Sequence, residues 1–270
     1  MPSASLTRVE KALVDSLVDV YRLHDNQISL FRDQLVLALS GSPRLSPLVH
    51  SLRSRLKDPE HLRDKLSRKF MKCKSEGAQF DIDKDNLLVK MNDLVGVRVL
   101  HLYTRQIREI DAALKGIFQE STYDLVEGPF ARTWDDESRQ FFKECGITPQ
   151  DSPSMYTSVH YVIGSASRTK ITAEIQVRTL MEEVWGEVDH TINYPHKTGS
   201  VGCAEQLKVL ARVTSSATRL VDSIFVTLDD HQVGSGSQPE KPRPSRAVAQ
   251  ARKKSKSQSH RPPKRSRRAR

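Results

Sequence analysis

No run of eighteen apolar residues occurs in the 270-residue chain, so no transmembrane helix is expected. The opening stretch, Met1-Pro2-Ser3-Ala4-Ser5-Leu6-Thr7-Arg8, lacks the basic and then apolar blocks of a signal peptide, and a cytoplasmic protein is expected. Cysteine is scarce. Cys73, Cys145 and Cys203 form no CxxC pair and no even framework, which argues for free thiols in a reducing compartment and against a zinc site. Neither GxxxxGK[ST] nor GxGxxG is present, so nucleotide binding through a P-loop or a Rossmann turn is excluded. Asp81-Ile82-Asp83-Lys84-Asp85-Asn86 opens like a calcium loop but lacks glycine at position six and glutamate at position twelve, where Asn92 stands. No internal repeat is visible.

Acidic residues are missing from 241–270, which hold 13 Lys and Arg; residues 1–240 carry 30 basic against 33 acidic side chains, a net of −3. The formal charge of +10 therefore misdescribes a mildly acidic body with a separate polycation. From Gly234 onward large apolar residues almost vanish, so disorder is expected. Such a tail binds RNA or a ribosome through phosphate charge with little sequence preference, or serves only as a solubility extension.

In the body, Leu13, Leu17, Val20, Tyr21, Ile28, Phe31, Leu35 and Leu37 recur at helical spacing between about Ser5 and Leu39. Asp58-Pro59-Glu60 is a helix start, with Asp as N-cap and Pro in the first turn; this helix is expected to reach about Cys73. A strand is expected at about 94–102 and a helix at about 105–119. Residues 126–154 read as a long excursion over a sheet edge. Strands follow at about 156–163 and 169–177, then helices at about 180–193 and 203–228. Because the order does not alternate regularly, the expected fold is α/β (α+β), a mixed β-sheet flanked by helices rather than a doubly wound parallel one.

Alternation along two of these strands sorts their side chains by face. Val95, Val97 and Val99 point one way while Gly96 and Arg98 point the other; Ile171, Ala173, Ile175 and Val177 oppose Thr172, Glu174, Gln176 and Arg178. Each strand thus brings a carboxylate (Asp93, Glu174) near an arginine, a pattern that suits a magnesium-nucleotide better than a core. Upstream, Arg55 and Lys57 share a face if the chain is extended there, and His61 and Lys65 are neighbours on the helix. These groups converge on a helix N-terminus, which favours anions, although a solvated basic face has the same composition. Tyr156, Ser158 and His160 alternate onto one face, either as a base-stacking and phosphate-binding set or as the wet side of an edge strand. Trp185 reads as core, with Asp189 and His190 orienting neighbours.

These segments, in order, resemble the RelA/SpoT nucleotidyltransferase family, the alarmone (ppGpp) synthetases, in their short single-domain form. The motifs are R-x-K with a downstream lysine (Arg55, Lys57, Lys65), D-x-x-G-x-R (Asp93, Gly96, Arg98) and Y-x-S-x-H (Tyr156, Ser158, His160), followed by E-x-Q-x-R-T (Glu174, Gln176, Arg178, Thr179) and W-x-x-x-D-H (Trp185, Asp189, His190). The motifs span about residues 45–200, the expected nucleotidyltransferase domain, with a helical segment over 1–44 before it and, after it, a packed helix over 201–232 and a disordered basic tail over 233–270.

The resemblance implies transfer of the β,γ-pyrophosphate of ATP to the ribose 3′-hydroxyl of GDP or GTP. By similarity, Arg55 and Arg98 would grip the adenine, Lys57, His61 and Lys65 would line the ATP side, and Asp93 would ligate Mg2+ with Glu174 as second ligand or base. Tyr156 would stack on the acceptor base, with Ser158, His160, Gln176 and Arg178 on the same face. The chain departs from the family at His61, usually serine, at Thr157, usually basic, and at Gly186 and Asp189, usually alanine and glutamate. Thr157 removes a charge from the acceptor side. Two alternatives therefore stay open: a toxin-type synthetase acting on the tRNA 3′ end or on adenine nucleotides, and a non-catalytic nucleotide- and RNA-binding regulator. His24-Asp25 resembles the HD pair of the family's hydrolase domain, but too few residues precede Arg55 for that domain, so synthesis without hydrolysis is expected. A homotetramer is carried over by analogy with short members.

Overall fold

The computed structural model describes residues 6–194 and 197–234. The expected N-terminal stripe forms two helices, not one. Helix α1 (Arg8–Leu23) opens on a capping box in which Thr7 accepts from the Glu10 amide and the Glu10 carboxylate accepts from the Thr7 amide at 2.6 Å. His24 leaves helical geometry (φ −100°, ψ 10°), its ring nitrogen lying 2.8 Å from the Val20 carbonyl, and α2 (Asp25–Gly41) starts afresh. The break lets each helix aim its own stripe at one core: Leu17 and Tyr21 from α1, Ile28 and Leu35 from α2. The His24-Asp25 pair marks that junction.

Strand β1 (Ser51–Leu56) leads into α3 (Pro59–Ser75), whose Asp58 cap accepts from the amides of Glu60 (2.9 Å) and His61 (3.1 Å). A single turn, α4 (Leu87–Lys90), precedes β2 (Val95–His101), and α5 (Ile107–Glu120) follows it. The excursion expected at 126–154 carries structure of its own: β3 (Asp124–Thr133), α6 (Asp136–Glu144) and β4 (Thr148–Asp151). The strand expected from Tyr156 begins instead at Ser158, as β5 (Ser158–Gly164), and is followed by β6 (Thr172–Thr179), α7 (Leu180–Asn193) and α8 (Val201–Gly234). Helix α8 enters the stretch expected to be disordered by two residues; residues 235–270, and with them the polycation, lie outside the described residues.

The six strands form one mixed sheet in the order β1-β2-β6-β5-β3-β4. β2 runs parallel to β6 and β3 to β4; the other pairs are antiparallel. One face, carrying Val95, Val97, Val99, Tyr161, Ile175 and Val177, is buried in the core with the apolar sides of α1, α2 and α5. The opposite face is polar, and α7 crosses part of it. Trp185 anchors that helix from behind: it is buried, as expected, and its indole N–H donates to the Leu207 carbonyl of α8 at 3.0 Å. Among the described residues no helix is long and apolar enough to cross a membrane.

Candidate active site

Register decides which polar side chains meet. Arg55 lies opposite Gly96 and Arg53 opposite Arg98 across β1 and β2; Gly96 is opposite Glu174, and Arg98 opposite Gln176, across β2 and β6. On the far side of β6, His160 is opposite Gln176. Since directly opposed residues share a face, these side chains form a single polar surface. A cavity of about 260 Å³ opens on it, lined among others by Arg55, Asp93, Arg98, Glu174, Gln176 and His190.

At one end the two lysines converge on a single carboxylate oxygen. Asp93 Oδ2 accepts from Lys57 Nζ and Lys65 Nζ, each at 2.8 Å, while its buried Oδ1 has no partner among the described residues. Burial pushes the Asp93 carboxyl up, but the two ammonium groups outweigh it and hold the carboxyl below its ordinary range. At the other end Glu174 is fully engaged: Oε1 faces His160 Nδ1 at 2.9 Å and Oε2 accepts from Gln176 Nε2 at 3.1 Å. Burial raises this carboxyl too, and His160, with a smaller contribution from Gln176, more than reverses the effect. Both acids are therefore ionised at neutral pH.

No group of three or more His, Cys, Asp or Glu side chains capable of holding a metal occurs among the described residues. A nucleotide-borne magnesium needs only one or two carboxylates, the remaining ligands being phosphate and water. A buried, unpartnered carboxylate oxygen on Asp93 beside Glu174 in the same cavity fits that requirement.

The arginines are organised by acids on α7. Glu183 is buried and meets three guanidinium groups: Arg53 at 3.3 Å, Arg98 at 3.1 Å and Arg178 at 2.5 Å. Arg98 also pairs with Glu187. Sequence reading missed Glu183 and Glu187. Their spacing of four on a helix following the second acidic strand was the available signal. Arg53 was missed as well; alternation with Arg55 would have found it once 51–56 was read as a strand.

Several expected residues sit away from the cavity wall. Ser158 is buried and its hydroxyl donates to the Val177 carbonyl at 3.2 Å. Arg178 is buried too, donating to the Tyr156 hydroxyl at 3.2 Å, with its guanidinium 5.5 Å from the centre of that ring. Tyr156 in turn donates to Gln176 Oε1 at 3.2 Å, and burial holds its hydroxyl protonated. His160 is buried behind Glu174, its Nε2 without a partner among the described residues. His61 is exposed and meets the ring of Tyr194 edge-on at 5.2 Å, and Tyr194 stacks on His190 at 4.6 Å. Lys57, Lys65 and Asp93 are brought together, as are Arg98, Glu174 and Gln176.

Residues 54–199 match a family model described as the region found in RelA/SpoT proteins. Among solved structures, the chain is similar to small alarmone synthetase 1 from Bacillus subtilis bound to its product pppGpp, at 17% identity and a TM-score of 0.53, covering 77% of this chain and 99% of that one. A second structure of that synthetase gives 16% identity and the same TM-score over 80% and 97%. A GTP pyrophosphokinase family protein from Streptococcus pneumoniae gives 18% identity and a TM-score of 0.51 over 79% and 94%. At these identities the likeness is one of fold. No curated protein sequence matches.

Proposed function

Since the chain belongs to the RelA/SpoT family, with more than half its length matched, we propose that it is a magnesium-dependent pyrophosphotransferase that moves the β,γ-pyrophosphate of ATP to the 3′-hydroxyl of GDP or GTP. The observation that carries this reading is the meeting of Asp93, held by Lys57 and Lys65, with Glu174 in one cavity beside Arg55 and Arg98. A site that only bound nucleotide would gain nothing from two ionised acids facing a polyanion. The related synthetase structures bound to pppGpp and to AMPCPP support nucleotides as the substrate class.

Asp93, with Glu174 beside it, would hold magnesium, which would supply neutralisation of donor phosphate charge. Everything else falls to the side chains. Lys57 and Lys65, already gathered on Asp93, present two ammonium groups to the triphosphate. Arg55 and Arg98 flank the donor base with planar guanidinium faces. Glu174, kept ionised by His160, accepts a hydrogen bond from the attacking 3′-hydroxyl and takes its proton. Tyr156, fixed by Gln176 and Arg178, stacks on the acceptor base. Such transfers need little covalent help from protein; positioning and charge neutralisation carry most of the rate.

The test is an acceptor screen. The protein is incubated with γ-labelled ATP, magnesium and, separately, GDP, GTP, AMP, ATP and bulk tRNA. Label on guanosine nucleotides supports the proposal. Label on tRNA or adenine nucleotides replaces it with the toxin-type reading, and donor binding without any transfer replaces it with a nucleotide-binding regulator.

A further inference from the structure

Helix α7 is patterned against the rule for a helix packed on a sheet. Glu183, Glu187 and His190, spaced at i, i+4 and i+7, share the face turned to the polar side of the sheet, and Glu187 and His190 line the cavity. Val184 and Val188 are exposed to solvent instead. Glu183 is the extreme case, a carboxylate only 5% exposed where an amphipathic helix would place an apolar side chain. A buried ion pair stabilises a fold no better than packed apolar groups of similar volume. The acid is therefore explained by what it holds.

Its partners come from three strands and from both ends of the site. Oε1 accepts from Arg53 Nη1 of β1 at 3.3 Å and from Arg98 Nη1 of β2 at 3.1 Å, while Oε2 pairs with Arg178 Nη2 of β6 at 2.5 Å. Arg53 and Arg98 are directly opposed across their strands, an arrangement in which like charges repel. One shared carboxylate oxygen keeps both guanidinium groups on the cavity wall. Burial disfavours the charge on Arg98, and Glu183, with Glu187, more than restores it. The other oxygen fixes Arg178, which is buried and donates to the Tyr156 hydroxyl at 3.2 Å. Glu183 does not itself line the cavity, so whatever it contributes passes through the arginines.

We propose, resting on the pyrophosphotransferase reading for which end is which, that Glu183 is the positioning residue common to both half-sites. One carboxylate oxygen aims Arg53 and Arg98 at the donor, and the other holds Arg178 beneath Tyr156 for the acceptor. Aim and charge here pull in opposite directions. Glu183→Gln adds one net positive charge to a site for polyanions, so charge alone would tighten nucleotide binding. Loss of aim weakens it.

The test is calorimetric titration of the full chain, with magnesium, by AMPCPP, a donor whose methylene-bridged phosphates cannot part, and separately by GDP. Glu183→Gln is expected to weaken both by about five- to tenfold, the scale of one modest hydrogen bond. Glu183→Asp, which keeps the charge, should regain most of both losses. Ile110→Val, a core change on α5 beneath the opposite face of the sheet, is the control for lost packing and should leave both affinities unchanged. Unchanged or tighter binding of either nucleotide by Glu183→Gln, no recovery with aspartate, or an equal weakening by Ile110→Val overturns the proposal. Should glutamine not fold beside the buried Arg178, Glu183→Gln with Arg178→Met leaves no lone charge buried. The AMPCPP arm then decides alone: weaker binding supports the proposal and unchanged binding overturns it. A wild type that binds AMPCPP but not GDP defeats GDP as acceptor, a failure of the functional reading, and the AMPCPP arm again decides. A wild type that binds neither defeats both.

Discussion

Glu174 Oε1 and His160 Nδ1 lie 2.9 Å apart on neighbouring strands, which makes a buried histidine the keeper of an ionised acid. Without that partner, burial and the neighbouring Asp93 charge act on Glu174 against the Gln176 hydrogen bond and drive its pKa upward. His160→Ala should therefore lower transfer ~100-fold at neutral pH, in the range typical of a lost acid–base contribution. The acid limb of the pH–rate profile should move to higher pH, because more base is needed to ionise Glu174. An unmoved acid limb would show that His160 does not set the ionisation of Glu174.

Asp93→Asn keeps the shape of the side chain while removing the charge that gathers Lys57 and Lys65. Pyrophosphate transfer should fall by about 100- to 1,000-fold, the scale of a lost electrostatic contact in a transfer site. The far-ultraviolet spectrum should not change. Calorimetric titration of ATP with and without magnesium should lose its metal dependence in this variant, and retention of full metal-assisted binding would remove Asp93 from the ligand set.

A Cβ on Gly186 would sit 2.6 Å from a terminal nitrogen of Arg178 and 3.8 Å from the Tyr156 ring. Arg178 has little room to retreat, being buried and paired with Glu183 at 2.5 Å. Gly186→Ala should displace the guanidinium from beneath Tyr156 and raise the KM for the acceptor by up to about tenfold, the worth of one ring contact. The KM for ATP should hardly move. An equal change in both constants would refute the separation of the two half-sites.

Glu187 occupies Arg98 from the exposed side of α7, at its middle. Since this partner is about half exposed, releasing it costs little, and Glu187→Gln should leave Arg98 held by Glu183 alone and ease its reach to the donor base. The KM for ATP is expected to drop by about two- to fivefold, in keeping with the modest strength of exposed ion pairs. A rise instead would mean that Glu187 positions Arg98 for binding.

His101 is buried at the end of β2, where loss of hydration pushes its pKa down from 6.5 to about 4 against the opposing effect of the Tyr103 carbonyl. Between those two values the unfolded chain binds the proton and the folded one does not, so stability rises with pH across the interval and falls as acid is added. The full effect is about 3 kcal/mol. Thermal denaturation should show the wild-type Tm gaining on that of His101→Gln as pH rises from 4 to 6.5, a difference from which the opposite slope of Glu182, pushed up to about 7 by burial, cancels.

Local periodicity made much of the site readable in advance. A strand's two-residue repeat separates Glu174, Gln176 and Arg178 from Ile175 and Val177 without knowledge of any neighbour. The Asp58-Pro59-Glu60 helix start was likewise legible, since a cap acts within its own first turn. What failed locally was whatever depended on a distant partner. Ser158 has the face expected of it, but the Val177 carbonyl claims its hydroxyl. His61 has the spacing of an anion ligand, yet its ring meets Tyr194. The strand β3, the short edge strand β4 and a helix were hidden around 126–154 because their mixed polarity carries no clear period.

Residue order alone thus settled which side chains could face nucleotide, through alternation and helix spacing that need only a few neighbouring residues. Sheet register and the path of α7 decided which of them do, setting Gly96 against Glu174 and bringing Glu183 to Arg53, Arg98 and Arg178. Apart from that of Arg178 with Glu183, those pairings join residues some 80 to 130 positions apart, and burial of the common apolar face holds the strands that carry them in place.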